Sequence, residues 1–223
     1  MPPVTNKTRA AKPTQTTAAK APAASTVPAD SSGLLRDQLD RDLLALLQAT
    51  KNPLFPARVL AVGSDKPASG LEHADLYGVP TFVVEEKHFA DRDAWAQKLA
   101  ENISHFDPDL IVLAGFMKVL PKSFVAKFSP RIINIHPALL PNFPGAHAVR
   151  DALAAGARET GATVHIVDEG VDSGPILAQE SVTVFPADDE KILHERIKLV
   201  EHKLLIETVK FLASKQLEPS KVG

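Results

Sequence analysis

The sequence contains no cysteine, which excludes disulfides, a thiol nucleophile and metal sites with cysteine ligands. It has no apolar run near the roughly 18 to 20 residues that a membrane helix needs, and its N-terminus lacks the apolar core of a secretory signal. The chain is not basic, and its formal net charge of -2 disfavours a domain that holds nucleic acid. These absences favour a cytoplasmic protein that acts on small molecules away from membranes.

The chain of 223 residues is long enough for one α/β domain with a sizeable core. Residues 1–29 are rich in Ala, Pro and Thr, with basic charge and no acid. We expect them to form a disordered tail because they cannot bury enough apolar surface, with an organelle presequence as the alternative interpretation. We expect a single domain over residues 30–215 and a C-terminal tail over residues 216–223.

Short apolar runs alternate with helical patterns from residue 34 onward. The patterns predict strands at 58–62, 80–84, 110–114 and 132–135, and a further strand pair at 162–167 and 176–184. They predict helices from residue 34 to near Pro53 and at 71–77, 91–106, 123–128, 146–155 and 189–213. Because apolar strands that alternate with helices form parallel sheets, we predict a Rossmann-like three-layer α/β sandwich with a mostly parallel central sheet.

Asn134 and His136 stand two residues apart at the end of an apolar strand. Side chains two apart in a strand point to the same side, and ligands of a parallel sheet bind beyond the carboxyl ends of its strands. The following loop is stiffened by Pro137, Pro141 and Pro144. For one such histidine alone, the simpler interpretation is that it only satisfies loop backbone groups.

Residues 168–175 (DEGVDSGP) form a second polar segment, with two carboxylates and two glycines between two strand patterns. An acidic β-turn or a Ca²⁺ site are the alternatives, although the spacing of an EF-hand is missing. A carboxylate such as Asp172 near His136 would stabilise the protonated imidazole, and Asn134 would add an amide donor. These three groups suit acyl transfer through an oxyanion, without a covalent intermediate and without a metal.

The chain resembles the folate-dependent formyltransferase superfamily, and within it the phosphoribosylglycinamide formyltransferase family, from about residue 56 to residue 210. The resemblance rests on ordered motifs at 113–120 (LAGFMKVL), 134–141 (NIHPALLP), 143–147 (FPGAH), 161–165 (GATVH) and 168–175. It implies transfer of a formyl group from 10-formyltetrahydrofolate to the amine of glycinamide ribonucleotide in purine biosynthesis. Methionyl-tRNA formyltransferase differs by a further RNA-binding domain, and formyltetrahydrofolate deformylase by a regulatory domain.

The resemblance also implies roles for single residues. It implies catalysis by Asn134, His136 and Asp172. It implies folate binding by Arg92, Met117, Lys118, Val119, Leu120, Asp168, Glu169, Gly170 and Val171. It implies that Lys198 and Glu201 reach the phosphate and ribose of the nucleotide, whereas the residues alone suggest only an ion pair one helical turn apart. The resemblance implies no metal, and we expect a monomer or a homodimer.

The chain departs from the family where the family has a first strand and a glycine-rich phosphate loop. Only Gly33 stands there, Pro28 is unfavourable within a central strand, and Asp30 would repel a phosphate. We therefore expect a degenerate first strand and a partial anion site at Ser31, Ser32 and Gly33. Two alternatives follow: a deformylase or another formyltransferase of the superfamily, and a pseudoenzyme that binds folate without turnover.

Overall fold

The structure is a computed structural model that describes residues 23–26 and 33–215. The strands are β1 (Ala23–Thr26), β2 (Arg58–Ser64), β3 (Thr81–Val83), β4 (Leu110–Leu113), β5 (Ile132–His136), β6 (Glu159–Ile166) and β7 (Ile176–Thr183). The helices are α1 (Gly33–Thr50), α2 (Ser69–Leu76), α3 (Arg92–Phe106), α4 (Lys122–Phe128), α5 (Ala148–Ala154) and α6 (Glu190–Ser214). A single 3₁₀ turn covers Glu86–His88.

All described strands belong to one sheet, in the order β3-β2-β1-β4-β5-β6-β7. Neighbouring strands from β3 to β5 are parallel, whereas β6 and β7 continue the sheet in antiparallel pairing. The chain order reverses between β1 and β4, and such a switch point opens a crevice at the carboxyl ends of the strands. The predicted Rossmann-like sandwich with a mostly parallel sheet is confirmed.

Helices cover both faces of the sheet, which explains why β2 and β4 consist mostly of buried apolar residues. Trp95, Leu99 and Ile103 of α3 pack with Phe124 of α4 on one face. Leu46 of α1, Val149 of α5 and the apolar stripe of α6 pack on the other. The long α3 and α6 begin where the sequence predicts, with Asp91 and Asp189 as N-caps that accept backbone N–H groups. No helix in the described ranges is long and apolar enough to cross a membrane.

Strand β1 corrects the predicted disordered tail, because residues 23–26 form a short first strand of the sheet. Residues 23–26 pair in parallel with both β2 and β4, so the sheet includes part of the segment predicted to be disordered. The sequence Ala-Ala-Ser-Thr carries no apolar signal of its own, and the flanking strands supply the hydrogen bonds that order it. Pro28 follows the end of this strand and does not interrupt it. The rest of the predicted tails, residues 1–22, 27–29 and 216–223, lies outside the described residues.

Candidate active site

A cleft of about 790 Å³ opens at the carboxyl ends of β4 and β5. The loop after β4 forms one wall, from Gly115 to Leu120, and the ends of β5 and β6 form its floor. The loop at residues 167–172, the segment 145–150, Asp42 of α1 and one side of α6 also contribute to the lining. The cleft therefore lies where the sheet topology predicts a ligand site.

The three residues predicted to be catalytic meet in this cleft. His136 Nδ1 lies 3.3 Å from Asp172 Oδ2. Asn134 Nδ2 donates to Asp172 Oδ1 at 3.4 Å. Asn134 and His136 are neighbours on β5 because of the strand period, but Asp172 reaches them only because the loop after β6 folds back over the end of the sheet.

Asp172 is held as an ionised carboxylate in an unusual backbone conformation. Its φ is 50°, in the left-handed region that costs free energy for a residue with a side chain. Burial opposes its ionisation, but hydrogen bonding to His165, the charge of His136 and the Gly145 N–H outweigh burial and lower the pKa of Asp172 to about 2. Gly145 N donates to Asp172 Oδ2 at 2.8 Å. The carboxylate thus stays charged throughout the physiological pH range.

The His136 ring contacts an acceptor on each side. Its Nε2 lies 2.8 Å from the Phe143 carbonyl oxygen, which only accepts, so this nitrogen carries a proton. Its Nδ1 faces Asp172, so a second proton there would make an ion pair. Burial lowers the pKa of His136, while Asp172 and the Phe143 carbonyl oppose that shift. Burial thus favours the neutral form of the His136 ring. The Asp172 carboxylate instead stabilises the protonated form, which the ring would adopt on gaining a proton.

His165 is a site residue to which the sequence analysis assigned no role. The antiparallel register places it opposite Asn134, and it is 2% exposed. Its Nδ1 lies 3.0 Å from the Ile166 carbonyl oxygen. Its Nε2 lies 3.3 Å from Asn134 Nδ2 and 3.5 Å from Asp172 Oδ1, so His165 contacts both predicted site residues. A histidine within the apolar run of β6 was the sequence signal that marked this position.

Thr163 positions the loop that follows His136. Its hydroxyl donates to the Ala138 carbonyl at 2.6 Å and accepts from Leu140 N at 3.1 Å. Gln179 Nε2 donates to the same hydroxyl at 2.8 Å. Because this buried network ties β6 and β7 to the loop, the backbone at Phe143 and Gly145 is held where it contacts the side chains of His136 and Asp172.

The structure separates the residues predicted to bind folate into two groups. Those that line the cleft are Met117, Lys118, Val119, Leu120, Asp168, Gly170 and Val171. Arg92 and Glu169 are not part of the lining. Arg92 donates to the Val119 carbonyl from behind the loop, and Glu169 forms an exposed ion pair with Lys122.

The ammonium of Lys118 is bound by protein carboxylates. Its Nζ lies 2.8 Å from Asp65 Oδ2 and 2.8 Å from Glu86 Oε2, and 5.3 Å from the centre of the Trp95 ring. The Asp65 side chain is only 4% exposed. Lys118 thus anchors the cleft wall to the end of β2 and to the 3₁₀ turn at Glu86.

We expect Lys118→Met to lower the free energy of unfolding by about 1 to 3 kcal/mol, because it leaves the buried Asp65 carboxylate without its cation. Lys122→Met is the matched control. Its pair with Glu169 is exposed on both sides, so we expect a much smaller loss of stability than in Lys118→Met. Urea unfolding of both variants measures the difference, and equal losses would contradict the anchoring role.

The residues predicted to bind the nucleotide lie partly within the described structure. Lys198 and Glu201 line the far end of the cleft, and their exposed fractions are 4% and 6%. Their burial argues against the simple surface ion pair that spacing alone suggested. Gly33 is the first residue of α1, whereas Ser31 and Ser32 lie outside the described residues.

Asp42 is a buried carboxyl at the same end of the cleft that the sequence analysis did not single out. It lies on α1, is 6% exposed and lines the cleft. Burial raises its pKa to about 7, although the charge of Lys198 opposes the shift. Burial and the charge of Asp42 together raise the pKa of Glu201, again against Lys198. Among the residues that the structure describes, no group of acids and histidines is arranged to hold a metal ion.

We expect Asp42→Asn to stabilise the protein increasingly as pH rises. The folded-state pKa of Asp42 lies above its unfolded value of 3.8, so the folded state binds more protons between about pH 4 and pH 7, and stability falls as pH rises through that window. The neutral variant avoids this loss. Its Tm should exceed that of the wild type by about 3 to 8 °C more at pH 8.5 than at pH 5. Thermal melts test this, with the exposed Glu207→Gln as the control; parallel pH profiles for wild type and Asp42→Asn would refute it.

A Rossmann-like sheet with an amide, an imidazole and a carboxylate at its strand ends suits acyl-transfer chemistry. The sequence profile of the family described as "Formyl transferase" matches residues 38–209. A phosphoribosylglycinamide formyltransferase of Mycobacterium tuberculosis (strain CDC 1551 / Oshkosh) is 50% identical over 160 residues, which cover 72% of this chain and 74% of that protein. The Escherichia coli (strain K12) enzyme of the same name is 37% identical over 178 residues, covering 79% and 84%.

A solved structure agrees with these relatives. Glycinamide ribonucleotide transformylase 1 from Symbiobacterium toebii superimposes with a TM-score of 0.81 at 35% identity, covering 88% of this chain and 90% of that one. The chain belongs to the formyl transferase family, and it is an enzyme that transfers a formyl group.

Proposed function

We propose that this enzyme transfers the formyl group of 10-formyltetrahydrofolate to the amine of glycinamide ribonucleotide, a step of purine biosynthesis. The observation that carries the proposal is the convergence of Asn134, His136 and Asp172 in one cleft, with distances of 3.3 to 3.4 Å between their polar atoms. The names of the relatives support the choice of acceptor.

The reaction is a direct acyl transfer. The acceptor amine attacks the formyl carbon, and a tetrahedral intermediate with an oxyanion forms. The bond from that carbon to N10 of the folate then breaks, and N10 receives the proton that the amine loses. The products are the N-formyl acceptor and tetrahydrofolate. Atoms and electrons therefore balance without an oxidant or a reductant.

Asn134 and His136 stabilise the charge that develops on the formyl oxygen. Asn134 Nδ2 is a donor, and for donors of this kind the effect on rate is about 10² to 10³. His136 takes on positive charge against Asp172 and helps to move the proton, which is typically worth about 10² to 10⁴ in rate. The fixed carboxylate also keeps the imidazole in one orientation between Asp172 and the Phe143 carbonyl.

The two substrates enter from opposite ends of the cleft in this proposal. The folate lies against the loop at 117–120 and the loop at 168–171, where exposed Val119 and Val171 offer apolar surface. The nucleotide lies against α6, where the ammonium of Lys198 suits its phosphate and the carboxyl of Glu201 suits its ribose hydroxyls. The catalytic residues stand between the two ends.

One assay tests the proposal. The purified protein is incubated with 10-formyltetrahydrofolate, with and without glycinamide ribonucleotide, and the release of tetrahydrofolate is followed. Turnover that depends on the ribonucleotide supports the proposal. Turnover without it identifies a deformylase, and folate binding without any turnover identifies a pseudoenzyme.

A further inference from the structure

The acceptor end of the cleft concentrates buried charge between α1 and α6. Asp42, Lys198 and Glu201 are 6%, 4% and 6% exposed, and all three line the cleft. Lys198 is the only lysine or arginine buried to this degree among residues 41–215. One buried cation therefore faces two buried carboxyls.

Lys198 is also engaged by a third acid. Its Nζ donates to Glu195 Oε1 at 2.6 Å, and Glu195 in turn pairs with Arg41 at 3.0 Å. The carboxyls of Asp42 and Glu201 depend on the same ammonium, because the charge of Lys198 is what opposes the upward shift of both their pKa values. An anion that binds Lys198 must therefore compete with protein carboxylates.

The other elements packed on this part of α1 do not offset the charge of Asp42. α2 and β2 meet α1 through an apolar cluster that includes Ala74, Val59 and Val62. From α6, His202 Nε2 lies 3.2 Å from Asp42 Oδ1, but burial lowers the pKa of His202. Burial likewise lowers the pKa of His194 at the cleft, to about 4. Burial therefore disfavours the charged form of both histidines.

A phosphate dianion bound at Lys198 would thus share this buried end of the cleft with the carboxyl of Asp42. Like charges in a partly dehydrated site repel, and the cost falls on the charged form of the acid. We propose that Asp42 is a specificity-determining residue of the acceptor site, which weakens the binding of a phosphorylated acceptor by adding its carboxyl to the buried end of the cleft that Lys198 also lines. This inference rests on the proposed function, which places the acceptor phosphate at Lys198.

The test compares wild type with Asp42→Asn, which keeps the shape of the side chain and removes its charge. At saturating 10-formyltetrahydrofolate and pH 8, we expect the KM for glycinamide ribonucleotide to fall about tenfold in the variant. The kcat and the KM for the folate should change less than about twofold, since Asp42 touches neither the catalytic trio nor the folate loops. The control Glu207→Gln removes an exposed charge of α6 and should leave all three constants unchanged.

The pH dependence gives a second readout. The ratio of the wild-type KM to the variant KM should approach one at pH 5.5, where the Asp42 carboxyl is protonated in the wild type, and should rise towards pH 8. The substrate phosphate ionises in the same way in both assays, so its effect on KM cancels in the ratio. A ratio that stays flat with pH would overturn the proposal, as would a variant KM equal to or above that of the wild type.

A binding measurement separates failure of this inference from failure of the proposed function. If the wild type does not formylate glycinamide ribonucleotide, the proposed function fails, and calorimetry with ribose 5-phosphate still tests Asp42. Tighter binding of this sugar phosphate to Asp42→Asn than to wild type supports the inference. Equal or weaker binding to the variant, with its fold verified by circular dichroism, overturns it.

Discussion

Replacement of His136 by alanine is expected to lower kcat by about 10² or more while the fold survives. The imidazole is the only group in the cleft that contacts both the Asp172 carboxylate and the Phe143 carbonyl, at 3.3 and 2.8 Å. Without it, the charge that forms in the transition state loses its ion pair with Asp172, and proton movement loses its carrier. Steady-state assays with saturating substrates measure the loss directly.

Two further variants serve as controls for the His136 prediction. His136 is 4% exposed, so alanine leaves a cavity, and His136→Asn provides a second variant that fills part of the space with a polar group. His105, an exposed histidine of α3, should be replaceable by alanine without loss of activity. Near-wild-type turnover in a folded His136→Ala or His136→Asn protein would exclude the proposed role.

Replacement of Asp172 by asparagine should also lower kcat by about 10² or more, for a different reason. The amide keeps the size of the side chain but removes the charge that opposes the effect of burial on His136. The pKa of His136 should therefore fall further below 6.5 in the variant. An NMR titration of the His136 ring measures this shift independently of the assay.

The matched control for Asp172 is Asp151→Asn, which neutralises an exposed carboxylate that pairs with Arg150 on α5. It should leave both kcat and the His136 pKa unchanged. If Asp172→Asn lowers kcat but leaves the pKa of His136 where it is, electrostatic stabilisation of the imidazole is wrong, and Asp172 acts only by holding the Gly145 loop through its hydrogen bond.

The Asp172 carboxylate should also affect the stability of the protein at acid pH. The pKa of Asp172 is about 2 in the folded state and 3.8 is its ordinary value. A carboxyl with a depressed pKa adds stability above its unfolded pKa, and this contribution is lost as pH falls through the folded value. The wild type should thus lose its stability advantage over Asp172→Asn between about pH 4 and pH 2.

Local patterns explain why much of the fold was predictable. Strand β4 consists of four consecutive buried apolar residues. Helix α3 has buried Trp95, Leu99 and Ile103 four residues apart, and Asp91 caps its N-terminus. These signals are short in range, so each element is visible without its neighbours. Strand β1 was missed because its small residues carry no such signal, and the pairing that orders it comes from β2 and β4.

The sequence by itself determined the alternation of strands and helices, the side of β5 on which Asn134 and His136 lie, and the class of chemistry that such groups suit. Only the tertiary structure decided that Asp172 meets His136, that the β5–β6 register sets His165 against Asn134, and that Asp42 and Lys198 are both buried where they line the same cleft. The physical reason is the separation along the chain over which each interaction acts. Periodicity and capping act over a few residues, whereas burial and charge pairing depend on segments that meet only after the chain has packed.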